Sequence, residues 1–417
     1  MRLLKLKASA LQFAILVSVI IALMLASFLT LTKTQRFFEV QSDIFLSVIT
    51  ASREGVNYSL QKQIEISDSL ALEIDNIPTT IKKAYWGSYE LISAESKLKT
   101  KLFVSKALIG TSAKKNKIAL QFGNTDLPLV LVGDTKIVGD VKVSSKGVKS
   151  GVIAGTYFNG DMLIEGNILT NSFGLPKLSE GFSDYLENAL AFIPVSKDVV
   201  FDSEDIYTNS FLEPTAYRYS KNKIMLTQEL TGNIIIKSED EIIINKYAKL
   251  QDVLVIAPKV TIEEGFSDNI HIIASEEIII EENVALTYPS SVVVKYRQKE
   301  VAPSDTPPNS PIEISKGSSI QGNVMFLAEE LPENYSDSSI LLEKEAAITG
   351  SIFCEGNTVL KGVVRGSVFT QKFLVNAEGS RYINHIFGGE IRSNKLPKSF
   401  GGLPLKRASK EIAQWMY

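Results

Sequence analysis

Cysteine is nearly absent: Cys354 stands alone among 417 residues, which excludes an intramolecular disulfide and any all-cysteine zinc site. Histidine is as scarce. His271 and His385 are the only two, too few for a multi-histidine metal centre. Positive charge shows no excess either, with 44 Lys and Arg against 47 Asp and Glu and a net charge of −3. Nothing in that balance is suited to a phosphate backbone, so nucleic acid is not an expected partner. The chain also lacks a Gly-rich phosphate loop and a G-x-S-x-G elbow. No catalytic constellation emerges, so the expectation is a non-enzyme without a cofactor or metal.

Charge itself is missing from one long stretch. Between Lys7 and Lys33 no residue is charged, and an apolar run of about 25 residues spans a bilayer core of roughly 30 Å. Arg2, Lys5 and Lys7 precede it, and positive-inside logic holds that short tail in the cytoplasm. A cleaved signal peptide is the alternative reading. Signal cores are shorter, about 7–15 residues, and Met24-Leu25-Ala26 is a poor cleavage site. The expectation is a retained single-pass anchor over 1–32 in the inner (cytoplasmic) membrane, with the bulk in the periplasm. Ala22 and Ala26 form a small-xxx-small pair suited to helix packing in lipid.

Proline is absent from Lys33 to Gln63, where Phe37, Val40, Ile44, Val48, Ala51, Val56 and Leu60 recur at helical spacing. The span therefore continues as a helical stalk over 33–63, with Gly55 its weak point at up to about 1 kcal/mol relative to alanine. The basic leader, the run Phe13-Ala14-Ile15-Leu16-Val17-Ser18-Val19-Ile20-Ile21 and this unbroken helix resemble the N-terminus of type IV pilins. The similarity is greatest to minor pilins and type II secretion pseudopilins that lack the usual glutamate. In that family a peptidase cuts after a glycine or alanine just before the first apolar residue. Gln12 holds that place here, and Val17 stands where the glutamate would be. The resemblance implies that Phe13 and Ala14 open a membrane rod that packs with pilin-like or secretion-system membrane proteins.

The body reads as mainly β. Residues 64–128 form a small α+β module, with alternating stretches Tyr89 to Ala94 and Leu102 to Ile109 and with Trp86 as a core anchor. Lys97, Lys99, Lys101 and Lys106 mark a solvated face. A parallel β-helix is expected over 129–390, with insertions at 174–229 and 299–311. Its corners show as an apolar–any–Gly–small polar–apolar motif around Gly139, Gly166, Gly232, Gly322, Gly350 and Gly366. Apolar triplets centred on Ile243, Thr261 and Ile279, and on Ile235, Leu254 and His271, return every 17 to 19 residues, a short solenoid period. Their β-branched flanks, such as Ile234 and Ile236 or Val292 and Val294, line the core, and the centres face outward. Residues 348–370 are similar to coils of bactofilins.

A helix is expected from Leu178 to Phe192, packed on the solenoid or capping it, and 391–417 is read as a C-terminal capping tail with a terminal helix. His271 is expected at the surface. The outward residues Ile235, Ile243, Ile279 and Val293, with Trp415 and Tyr417, are the candidate partner surface, unless the chain covers them itself. The function these features imply is that of a structural component of a pilus-like or type II secretion-like assembly, acting through protein–protein contacts. Two alternatives stand beside it: a membrane-tethered β-helix that binds or cleaves glycans, with polysaccharide as a possible partner, and a bactofilin-like self-assembling scaffold.

Overall fold

The computed structural model describes residues 8–62, 64, 69–115, 118–123, 127–171, 174–194, 199–200, 205–297, 310–331, 335 and 337–417. Arg2, Lys5 and Lys7, and all but the last two positions of the 299–311 excursion, lie outside the described residues.

One helix runs from Ala8 to Gln61, about 80 Å at 1.5 Å per residue. Its last turns lie across an antiparallel meander of Ser69–Ile74, Ile77–Trp86, Tyr89–Leu98 and Lys101–Thr111. Val48, Ala51 and Val56 are buried there with Ile77, Ile81, Ile92 and Ala94. Gly55 is where helix and sheet come closest. A Cβ on it would stand 2.9 Å from the Ala94 Cβ and 3.0 Å from the Thr79 Cγ2. The residue that looks like a flaw in an isolated rod is what lets the rod seat.

A fifth strand, Lys410–Met416, joins this sheet antiparallel to Lys101–Thr111. The expected terminal helix is thus a strand. The open edge of Lys101–Thr111 offers unpaired N–H and C=O groups, and hydrogen bonds to that edge outweigh any local helical preference. Alternation then sends Trp415 towards the long helix and Met416 to the opposite face.

The remainder is a parallel β-solenoid, and the chain as a whole is mainly β. Its registers follow the sequence rhythm: Ile243 pairs with Thr261 and Thr261 with Ile279, Ile235 with Leu254 and Leu254 with His271. The flanking Ile and Val residues, from Ile234 and Ile236 to Val292 and Val294, are all buried in one continuous core. On the next coil His271 pairs with Ser291 and Ile273 with Val293. At one corner the motif glycines stack on one another. A Cβ on Gly350 or Gly366 would sit 1.8 Å from the carbonyl oxygen of the glycine one coil before it, and both residues have a φ above 150°.

The order of coils in space is not their order in the chain. Strands from Ile206 to Arg392 climb the column. On their last coil sits Ile118–Phe122, with Val368 paired to Leu120 and Thr370 to Phe122. Asp140–Val143 and then Ile168–Thr170 continue the stack. The first coils made are therefore the far end of the column. Residues 118–122 belong to the solenoid and not to the small module, because their hydrogen-bond partners lie about 250 positions away. After 170 the chain returns to the other end, through the helix Phe182–Ala191, and starts again. That return accounts for the lapse in the coil pattern. Its later part is already solenoid, since Ile206–Asn209 and Ala216–Ser220 pair in parallel with Glu229–Gly232 and Ile234–Ser238.

Candidate functional site

The bare part of the long helix is the first candidate. From residue 10 to residue 46 nearly every described side chain is exposed, including Phe13, Ile15, Leu16, Ile20 and Leu23. This part is about 55 Å long, and it is long and apolar enough to cross a bilayer as a single-pass anchor. Four of its hydroxyl groups, those of Ser18, Thr30, Thr32 and Thr34, are satisfied internally: Ser18 donates to the Ala14 carbonyl at 2.7 Å and Thr32 to that of Phe28 at 2.9 Å, which suits a surround without water. Ala14, Ala22 and Ala26 are exposed on this rod. Beyond the charged residues Lys33 and Arg36, Phe37, Phe38, Val40 and Phe45 continue an uncovered apolar surface.

The second candidate, the outward face of the solenoid, divides in two. Part of the row expected as a partner surface is covered by the chain itself. Val293 is fully buried, in a cluster with Leu254, Ile256, Ile273, Met325 and Phe353 from the coils. The cover comes from Tyr85, Trp86, Tyr89 and Leu108 of the sheet, Phe182 and Leu186 of the returning helix, and Leu403, Leu405 and Met416 of the tail. Ile235 is half-buried at its margin. Lys237 pins the returning helix, its Nζ donating to the carbonyls of Ala189 at 2.9 Å, Leu190 at 2.7 Å and Phe192. Ile243 and Ile279, on another face, stay half-exposed. Trp415 is half-buried against the long helix, and the Tyr417 side chain is exposed.

His271 is a correction. It is completely buried under the hairpin turn Trp86-Gly87-Ser88-Tyr89, because the sheet lands on the very column that sequence leaves facing water. Its Nδ1 shares a hydrogen bond with the Ser291 Oγ at 3.0 Å. Burial pushes its pKa down to about 3, so the ring is neutral. Ser88 completes the contact, accepting from Asn323 Nδ2 at 3.0 Å and donating its N–H to Ser291 Oγ at 3.1 Å. Gly87 has φ +56°, and a Cβ there would stand 2.2 Å from Ser291 Oγ. His385 is half-exposed, with Nδ1 2.7 Å from the Ile383 carbonyl oxygen. Cys354 is buried, and burial raises its thiol pKa to about 11. Among the described residues no group of three or more His, Cys, Asp or Glu is arranged to hold a metal.

Lys106 departs from the solvated face expected of it. Its Nζ donates to the Phe211 carbonyl at 2.5 Å, across the junction of sheet and solenoid.

No protein-family model matches the chain, and no curated protein matches it. Two solved structures are similar at low level. An ice binding protein from an Antarctic Biological Consortium shares 13% identity over 68% of this chain and 90% of its own, with a TM-score of 0.21. The competence-associated pilin ComZ from Thermus thermophilus shares 10% identity over 85% of this chain and 88% of its own, with a TM-score of 0.23. At that distance neither decides what this chain does.

Proposed function

We propose that this protein is a structural component of a pilus-like or type II secretion-like assembly, anchored in the inner membrane with its body in the periplasm and acting through protein–protein contacts rather than catalysis. One observation carries the reading: a single helix is bare as far as residue 46 and clamped onto an antiparallel sheet by its last turns. Lipid accounts for the first 20 or so apolar residues. It does not account for Phe37, Phe38, Val40 and Phe45, which stand beyond the charged boundary and suit packing against other rods. Ala22 and Ala26 let a neighbouring rod approach within the bilayer.

The test is fractionation and in-membrane cross-linking. The full chain is expected in the membrane fraction, resistant to salt extraction, and Ala22→Cys and Phe38→Cys variants are expected to cross-link to pilin-like membrane proteins. A body released without its first thirty or so residues, or a membrane monomer that yields no such adduct, would count against it.

A second reading rests on a groove of about 700 Å³ in the solenoid flank, lined by Tyr157, Phe158, Phe387 and Asn159 over a floor of Leu374 and Val375. Exposed rings beside amide groups suit a sugar face. Among the described lining residues Asp134 is the only carboxylate, and it accepts a hydrogen bond from Asn159 Nδ2 at 3.1 Å, which favours binding over cleavage. Polysaccharide binding lost in Tyr157→Ala would support this reading.

A further inference from the structure

Where the end of the long helix, the sheet and the C-terminal strand meet, buried charge does not balance among the described residues. The Nζ atoms of Lys83 and Lys410 lie 3.1 and 2.9 Å from the same Oε1 of Glu90, to which Ser179 also donates. The side chains of Lys83 and Glu90 are each 5% exposed and that of Lys410 12%. Burial pushes the Glu90 carboxyl up, but Lys410 and Lys83 outweigh it and hold the group below the usual range. Glu90 is therefore ionised and is shared by two lysines, Lys83 and Lys410, burial lowering the pKa of the second. An uncompensated buried charge costs several kcal/mol.

Beside this trio opens a cavity of about 480 Å³, whose wall also carries Lys62, Arg407, Ser59 and Ser409. Glu90 is the only carboxylate among its described lining residues, against four cations. The carbonyls at the helix end do not absorb the excess. The one polar contact of Lys83 is with Glu90, and the further donations of Lys410 go to the Leu405 carbonyl at 3.1 Å and towards Ser179 Oγ at 3.5 Å.

We infer that this cavity binds a small oxyanion, a phosphate or a carboxylate, seated against Lys83 and Lys410 and rimmed by Lys62 and Arg407. The bound anion completes the charge balance and ties together two separate pieces of chain: the sheet through Lys83 and the last strand through Lys410. A bilayer headgroup is not its source, since the helix end lies about 40 Å beyond Lys33 along the rod. The site is independent of any assembly role.

The experiment is thermal unfolding of the full chain in nanodiscs, titrated at constant ionic strength with inorganic phosphate and, separately, with galacturonate. A saturable rise in Tm with either probe is expected, as for any ligand bound by the folded state alone, and the more effective probe names the anion. Lys83→Met leaves a neutral Glu90–Lys410 pair and is expected to abolish the rise. Should that variant not fold, Arg407→Gln, at an exposed position, is expected to weaken binding about threefold or more. No rise with either probe, or a rise undiminished in the folded variants, overturns the inference. So does a rise that emerges only with Glu65→Gln and Asp68→Asn together, which would assign the site to the chain's own carboxylates.

Discussion

The indole Nε1 of Trp86 donates to the carbonyl oxygen of Asp252 at 2.8 Å, joining the tip of the sheet hairpin to a solenoid coil 166 positions away. Both groups are shut off from water, and the Trp86 ring packs edge-on against Phe211 with centroids 5.2 Å apart. Trp86→Phe is expected to lose about 1–3 kcal/mol, because a buried carbonyl is left without its donor. Trp86→Ala is expected to lose about 3–5 kcal/mol through the added cavity. Urea unfolding measures both, and a Phe variant within about 0.5 kcal/mol of the parent would show the bond to be idle.

Gly55 sets two effects against each other. Alanine there gains up to about 1 kcal/mol of helix propensity, but its methyl would stand 2.9 Å from the Ala94 Cβ, closer than packed carbons tolerate. The contact is expected to win, with Gly55→Ala less stable by about 1–2 kcal/mol. Adding Ala94→Gly opens the space, so a double-mutant cycle should recover part of the loss. Strictly additive losses would contradict the contact.

Two solenoid glycines with positive φ separate conformation from space. At Gly379, φ +72°, a Cβ would meet nothing, so Gly379→Ala is expected to cost about 1–2 kcal/mol, the left-handed backbone alone. At Gly350, φ +152°, the same methyl would lie 1.8 Å from the Gly322 oxygen. Gly350→Ala is expected to cost about 4 kcal/mol or more and to show as loss of folded protein on expression. Equal effects at the two positions would refute the stacked corner.

His271 gives the pH dependence. Its ordinary pKa is about 6.5, and burial holds the folded value near 3, so between these the unfolded chain binds the extra proton. Stability from this residue is complete above about pH 6.5 and falls with pH at up to about 1.4 kcal/mol per unit until the folded value is reached. Chemical unfolding of the parent and His271→Asn across pH 4 to 7 is the measurement. The variant should be flatter in this window; parallel curves would mean that the ring is protonated or hydrated in the fold.

Much of the architecture was legible because its causes are local. Period-two burial around Ile243, Thr261 and Ile279 follows from strand geometry, and the glycine corners follow from backbone sterics. The misreadings share a different origin. His271 and Val293 look outward from their own strands, and nothing in their neighbourhood in sequence announces that Trp86, Tyr89 and Phe182 will land on them. The segment Lys410–Met416 looks helical until the edge of Lys101–Thr111 is there to pair with it. The cavity lysines escaped for the same reason, since Lys83, Ser179 and Lys410 are distant in the chain. The signal available was a lysine at an inward-facing strand position, because the burial of Ile77–Trp86 alternates and Lys83 falls on its buried side.

By itself the sequence determined the uncharged helix at the N-terminus and the inward Ile and Val positions of each coil, since both depend on periods shorter than one structural element. Only the tertiary structure decided that Ile118–Phe122 stacks on the coil of Val368, that the last strand closes the first sheet, and that His271 and Val293 lie under cover. Those outcomes depend on which unpaired edges and apolar faces meet, a competition among segments hundreds of residues apart that no local pattern encodes.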